Sequence, residues 1–325
     1  MLLKIVDAFA EHLFGGNTAG VVVIKDNESF PTDNVMLKTA AELRYSETAF
    51  VKRVGDNRFK MRYFTPVAEV ALCGHATIAS FHALLEDGMV EGNGQYVAET
   101  LHGELNIRFD KASCVQAQSA LNHGTAGDLH DEGCNGTTKY IVMMDMAKPK
   151  LYEYIHDKDA VDELYAVMGI KPAGQGVFSG RPRLCLLPRI VSTGLKDIML
   201  PVADIDELNK ISPDFGVLAE LSKRYNVVGV HAFTCNSPDG RIHARNFAPL
   251  YGIDEEAATG TSNGALAVYL FDYGIVASDE AISVIQGEKM QRPSSISVVV
   301  SSVHQEISVK VGGCAITIAS GSINL

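Results

Sequence analysis

The chain contains no Cys-x-x-Cys pair and no zinc-type spacing; its six cysteines, Cys73, Cys114, Cys134, Cys185, Cys235 and Cys314, are scattered over 325 residues. This argues against a zinc ribbon and a dense disulfide framework, and the thiols read as reduced, as in a cytoplasmic protein. Nowhere does the sequence sustain the roughly 18 consecutive apolar residues of a membrane-spanning helix. Asp7 and Glu11 interrupt the opening "MLLKIVDAFAEHLF", which does not read as a signal peptide. Basic residues are short: 28 Lys and Arg face 39 Asp and Glu, a net charge of -11. That balance repels nucleic-acid phosphates and anionic lipid surfaces, so neither is expected as a partner.

Familiar cofactor signatures are missing too. "GQGVFSG" (174–180) follows no strand and has no acidic ribose partner at the usual distance, "GGN" lacks the Lys-Ser/Thr of a phosphate loop, and no nucleophile elbow occurs. No His or Cys spacing announces a metal. Neither a cofactor nor a metal is expected.

The chain does contain itself twice. With an offset of 183, "AFVKRVGDNRFKMRYFTP" (49–66) and "AFTCNSPDGRIHARNFAP" (232–249) share 7 identities in 18 positions. With an offset of 186, "EVALCGHATIASFHALLEDG" (69–88) and "EEAATGTSNGALAVYLFDYG" (255–274) share 6 in 20. At 46% hydrophobic the chain is long enough for two cores.

Periodicity gives each copy the same order of elements. The first has strands in "LLKIVDAF" and "AGVVVIK" around the turn "FGGN", then a helix in "NVMLKTAAELR" and a hairpin turning at Gly55-Asp56-Asn57. A helix from His75 to Glu86 and strands in "QYVAET" and "ELNIRF" follow. The second has strands in "LCLLPRI" and "DIMLPV", a helix in "DFGVLAELSKRY", a hairpin turning at Pro238-Asp239-Gly240, a helix from Ser262 to Phe271, and strands in "SISVVVSSV" and "EISVKV". Both later helices are apolar nearly all round, so each is expected at the centre of its own curled sheet. The predicted class is α+β, with two pseudo-symmetric domains, each a barrel-like mixed sheet around a central helix. The boundaries are 1–118 and 140–325, with 119–139 a linker or surface loop. The last strand, about 310–325, is open to either domain.

A helix N-terminus presents unpaired N–H groups and the positive end of a dipole. Cys73, Gly74, His75 and Ala76 open one central helix, and Thr259, Gly260 and Thr261 open the other. Pseudo-symmetry would let both face one cleft and hold a small anionic metabolite. Catalytic groups should break the repeat, and two carboxylates do: Glu47 stands where the copy has Val230, and Glu256 where the first copy has Val70. An acid/base pair for proton transfer at carbon is the chemistry this suits. Glu256 equally fits an acidic first-turn residue favoured by the helix dipole.

The ordered motifs "DAF", "FGGN", "SETAF", "RYFTPVAEVALCGHAT", "STGL", "RNFAPLYGIDEEAATGTSNGALAVYL" and "QGEKMQRPS" resemble the PhzF-like family of phenazine-biosynthesis isomerases, which shares the diaminopimelate epimerase fold. The resemblance spans nearly the whole chain. It implies a cofactor-free site, often in a homodimer, that shifts protons at a substrate carbon. By position, Glu47 falls on the family's general acid/base glutamate and His75 on its active-site Gly-His pair. Glu256 stands where the characterised isomerase has Asp, and Thr261 where it has Ser; Thr18 and Gln291 replace a usual Pro and Gly. In the epimerase branch, two cysteines work from opposite faces of the carbon. Cys73 fits the first position, but its repeat partner is Thr259, which has no usable acidity. The expected function is therefore a cofactor-independent isomerase acting through Glu47, assisted by His75 and Glu256. The alternatives are a Cys73-based epimerase and a non-catalytic protein binding small anions or a partner.

Overall fold

A computed structural model of the protein describes residues 1–111, 139–172 and 186–325. The expected linker at 119–139, except its last residue, and the "GQGVFSG" stretch lie outside these residues, as do Cys114, Cys134 and Cys185. The described chain divides into two compact units. Unit 1 comprises Met1–Leu13, Thr18–Met144 and Gly313–Leu325; unit 2 comprises Phe14–Asn17 and Asp145–Gly312. The C-terminal residues thus group with the N-terminal unit.

In unit 1, strand β1 (Leu2–Ala8) is followed by β2 (Asn17–Ile24), helix α1 (Asp33–Leu43), β3 (Glu47–Gly55), β4 (Arg58–Phe64) and β5 (Glu69–Val70). Helix α2 (Gly74–Glu86), β6 (Gln95–Thr100), β7 (Gly103–Lys111) and β8 (Tyr140–Asp145) complete the run. The helices α1 and α2 are the crossovers that two parallel pairings, β2–β3 and β4–β6, require. The neighbours β3–β4, β4–β5, β6–β7 and β7–β8 are antiparallel. The hairpin turns through Asn57 at φ 57°, a left-handed position that Asn tolerates.

Unit 2 repeats this plan. It has β9 (Lys150–Tyr154), α3 (Lys158–Val167), β10 (Arg189–Ser192), β11 (Lys196–Pro201), α4 (Ile205–Lys210), α5 (Phe215–Tyr225), β12 (Gly229–Thr234) and β13 (Ile242–Ala248). Then come β14 (Ile253–Glu256), α6 (Gly260–Asp272), β15 (Ala281–Gln286), β16 (Ser294–Val303) and β17 (Glu306–Gly313). The parallel pairs β11–β12 and β13–β15 sit where β2–β3 and β4–β6 sit in unit 1. The final strand β18 (Ala315–Ser322) pairs antiparallel with β1, as β9 pairs with β10.

The repeat is also one of residue register. Tyr63 pairs with Val70 across β4–β5, and their repeat equivalents Asn246 and Glu256 pair across β13–β14. One reading needs correction. The strand expected in "LCLLPRI" begins only at Arg189, after Pro188, whose nitrogen has no hydrogen to donate to a ladder; residues 184 and 185 of that stretch lie outside the description.

Burial, not capping, makes the two central helices. Neither Cys73 nor Thr259 forms a side-chain cap, which forgoes about 1 kcal/mol. Against that, Ile78, Phe81 and Leu84 of α2, like Leu266, Val268 and Leu270 of α6, are fully buried, at about 1.5–3 kcal/mol each. Helix α2 packs on β1, β3 and β18, and α6 on β10, β11 and β16.

Candidate active site

In unit 1, three chemically active side chains meet where β3 begins and α2 opens. Glu47 is the first residue of β3, Cys73 immediately precedes α2, and His75 lies in its first turn. His75 Nε2 is 3.3 Å from Glu47 Oε2 and 3.3 Å from Ser46 Oγ. Cys73 Sγ lies 3.4 Å from His75 Nδ1 and 3.8 Å from Nε2. Cys73 and His75 are buried, while the Glu47 side chain keeps 19% of its surface exposed. Burial pushes the imidazole of His75 below its ordinary value, and the charge of Glu47 only partly opposes this. The ring is therefore neutral at pH 7, able to donate one hydrogen bond and accept another.

The backbone beneath this cluster is fixed by unit 1's own polar core. Thr77 Oγ1 donates to the Cys73 carbonyl at 2.7 Å, and the fully buried Tyr63 hydroxyl lies 2.7 Å from the same Thr77 oxygen. A Cβ at Gly74 would come within 2.9 Å of the Met144 methyl, the far end of a flexible side chain that would have to shift to admit it. Ala76 is buried in the same first turn.

Unit 2 builds its carboxylate differently. Glu256 is the last residue of β14 and not part of the first turn of α6, so the reading of it as a dipole-favoured helix residue is corrected. Thr259 Oγ1 donates to Glu256 Oε2 at 2.6 Å and Asn17 Nδ2 to Oε1 at 3.2 Å. Behind them the donors run in one direction. Asn246 Nδ2 lies 3.2 Å from His231 Nδ1, and His231 Nε2 lies 3.3 Å from Asn263 Oδ1. Asn263 Nδ2 donates to Gln286 Oε1 at 2.7 Å, and Gln286 Nε2 donates to Thr259 Oγ1 at 3.2 Å and to the Glu256 carbonyl at 2.7 Å. Chained donors of this kind polarise one another and rigidify what they end on, here Glu256.

A second branch ends on another carboxylate. Asn246 Nδ2 donates to Ser262 Oγ at 3.1 Å, and Ser262 donates to Asp197 Oδ2 at 2.6 Å. Burial pushes Asp197 up to about 6 against the hydrogen bonds from Ser262 and the Gly229 backbone. Burial also pushes His231 down to about 4, which matches the neutral tautomer that its two amide neighbours demand.

The motifs named these positions without revealing their roles. Asn17 stands in "FGGN", Gln286 opens "QGEKMQRPS", and Thr193 of "STGL" donates from Oγ1 to the Thr261 carbonyl at 2.8 Å. Arg292 holds the glycine turn by donating to the carbonyls of Gly15 and Gly16 at 2.8 and 2.9 Å. None of these partnerships follows a periodicity, and so none was legible from spacing.

The units, each a curled mixed sheet around a central helix, define the diaminopimelate epimerase-like fold shared by isomerases and racemases. A family model described as phenazine biosynthesis-like protein (PhzC-PhzF) matches residues 6–321, and the chain belongs to that family. An uncharacterized isomerase of Clostridium acetobutylicum is 31% identical over 98% of this chain and 97% of its own length. The uncharacterized isomerase YddE of Escherichia coli K12 is 27% identical over 87% of this chain and 84% of its own. Among solved structures, a PhzF-family phenazine biosynthesis protein of Bacillus anthracis superposes with a TM-score of 0.79 at 23% identity, covering 100% and 99% of the two chains. A probable proline racemase of Agrobacterium radiobacter K84 superposes at 0.57 with 14% identity, over 100% of this chain and 93% of its own. The chain is an enzyme of the isomerase class.

Proposed function

We propose that the protein is a cofactor-independent isomerase that moves a proton at a carbon of a small carboxylate-bearing metabolite, with Glu47 as the general acid/base. The observation that carries this reading is the Glu47–His75 contact of 3.3 Å in unit 1, at a position where unit 2 has the fully buried Val230. A carboxylate that the fold does not need, held against a neutral imidazole and partly exposed, has the geometry of a proton carrier.

In this mechanism Glu47 removes the proton from a carbon acidified by its neighbouring carboxylate or carbonyl. The same group returns it at another position on the same face, as a single base allows. His75 orients the carboxylate of Glu47 and, being neutral, does not lock it in an ion pair. Glu256 assists, and the N–H groups at Gly74, Ala76, Gly260 and Thr261 accept anionic charge. Cys73 packs beside His75; its repeat partner Thr259 supplies no second thiol, which weighs against two-thiol racemisation. The Glu256 and Thr261 side chains each differ from the characterised isomerase by one carbon, which favours a differently shaped substrate.

The test is isotopic. A panel of small carboxylates with an activated C–H is incubated with the protein in heavy water and followed by proton NMR. Enzyme-dependent loss of one C–H signal supports the reading. Saturable binding of a panel member with no exchange contradicts proton transfer at its activated carbon.

A further inference from the structure

We propose that Glu47, Cys73 and His75 form a binding site for a thiophilic divalent cation, zinc above all, at the mouth of α2. Their ligand-type atoms, one from each side chain, lie within 4.8 Å of one another. Zinc bonds of about 2.3 Å to sulfur and about 2.0–2.1 Å to nitrogen or oxygen, set at tetrahedral angles, give edges of roughly 3.6 Å for S···N and roughly 3.3 Å for N···O. The structure has 3.8 Å between Cys73 Sγ and His75 Nε2, and 3.3 Å between His75 Nε2 and Glu47 Oε2. Two edges of a zinc tetrahedron thus have nearly the right length; because Cys73 Sγ lies nearer Nδ1, at 3.4 Å, a side-chain rotation of Cys73 or His75 must bring the sulfur to the lone-pair side of Nε2 as the ion binds.

The chemistry selects the ion. A thiolate, an imidazole and a single carboxylate suit zinc, whereas calcium and magnesium need several oxygen ligands. On binding, the Cys73 thiol loses its proton to solvent. The thiolate and the Glu47 carboxylate then cancel the charge of the ion, leaving a neutral centre where two of the three side chains are buried. The partial exposure of Glu47 leaves room for water as the fourth ligand, the arrangement of an open rather than a closed zinc site. Spacing could not announce it, because Cys73 and His75 meet a carboxylate from a different element of unit 1.

The consequence for catalysis rests on the proposed function: a cation bound to Glu47 occupies the lone pair that would take the proton, so zinc inhibits exchange and a chelator restores it. The test does not depend on activity. The full chain, kept reduced, is titrated with Co2+ as the spectroscopic probe. One equivalent should give a thiolate-to-cobalt charge-transfer band that one equivalent of Zn2+ abolishes. The band should vanish in Cys73→Ser, and Co2+ affinity should fall in Glu47→Gln by at least the roughly 10- to 100-fold that losing even an outer-shell partner costs. In the wild-type chain, Zn2+ should protect Cys73 from alkylation as mapped by mass spectrometry, a readout that needs no variant to fold. Absence of the band, its persistence in Cys73→Ser, or unprotected Cys73 at saturating Zn2+ overturns the site. A band with undiminished proton exchange at saturating Zn2+ supports the metal site and removes Glu47 as the base.

Discussion

His75 Nε2 and Glu47 Oε2 stand 3.3 Å apart, yet the imidazole is pushed toward its neutral form by burial rather than charged by its neighbour. An imidazolium would bind the carboxylate as an ion pair and hold its charge in place, which a group that must pick up a proton from carbon cannot use. The neutral ring orients Glu47 without pairing its charge. Proton exchange by the wild-type enzyme should therefore show no acid limb at the ordinary histidine value near 6.5. His75→Ala should lower the exchange rate by about 100-fold or more. A limb at 6.5 that disappears in His75→Ala would show that the ring works as a cation.

Asp197 and His231 impose opposite pH dependences on unit 2. The native value of His231, about 4, lies below its unfolded value, so its contribution is complete above pH 6.5 and is lost as pH falls toward 4. That of Asp197, about 6, lies above its unfolded value, so its contribution is complete below pH 3.8 and is lost as pH rises through 6. Each amounts to about 3 kcal/mol, and between pH 4 and 6 the two nearly cancel. Asp197→Asn keeps an acceptor for Ser262 and removes one side of the balance. Urea unfolding at pH 4, 5 and 6 should show this variant gaining about 3 kcal/mol on wild type across the interval. Parallel curves would contradict the burial assigned to Asp197.

The turn in "QGEKMQRPS" makes two predictions of opposite sign. Gln291 sits at φ 57°, a left-handed conformation that costs a residue with a Cβ about 1–2 kcal/mol. Part of the gain on inserting glycine is returned as unfolded-chain entropy, so Gln291→Gly should stabilise by about 0.5–1 kcal/mol. Gly287, at φ 81°, has no room at all: a Cβ would lie 2.4 Å from the Arg292 carbonyl oxygen and 2.6 Å from that of Ala257. Gly287→Ala should destabilise by more than Gln291→Gly stabilises. Denaturant midpoints of the two variants check both signs.

Gln286 should act on Glu256 through position rather than through contact with substrate. Its amide ties Thr259 Oγ1 and the Glu256 carbonyl together. Gln286→Leu leaves Asn263 Nδ2 without one buried acceptor and frees Glu256 to move. Exchange should slow by about 10-fold or more through kcat, as expected when a positioning group is lost. Gln286→Glu keeps the acceptor for Asn263 but loses the Nε2 donor to Thr259 and to the Glu256 carbonyl, so it should lose exchange as the leucine variant does. Equal activity in all three proteins would remove the positioning role.

Much of this architecture was legible because its determinants are local or repeated. The hairpin turn at Asn57, the apolar helices opening at Gly74 and Gly260, and the offsets of 183 and 186 all reappear as elements and registers. The offset singled out Glu256 opposite Val70, and the ladders place both at the same rung. What was not legible has physical reasons. Strands β5 and β14 have only 2 and 4 residues, too few for an alternation to show. Helices α3 and α4 and the strands β8, β9 and β15 also escaped the reading. The chain from Asn246 through His231, Asn263 and Gln286 to Thr259 joins distant segments by side-chain amides, and no sequence period encodes such bonds.

The account stands on Glu47 as the proton carrier, and one comparison tests it most directly. On a carboxylate that wild type exchanges in heavy water, the deuterium incorporation rate is measured for wild type and for Glu47→Gln, with circular dichroism confirming that both are folded. The account predicts a fall of about 100-fold or more for the amide variant, which keeps the shape of the side chain but cannot accept the proton. Incorporation by Glu47→Gln at the wild-type rate would contradict it.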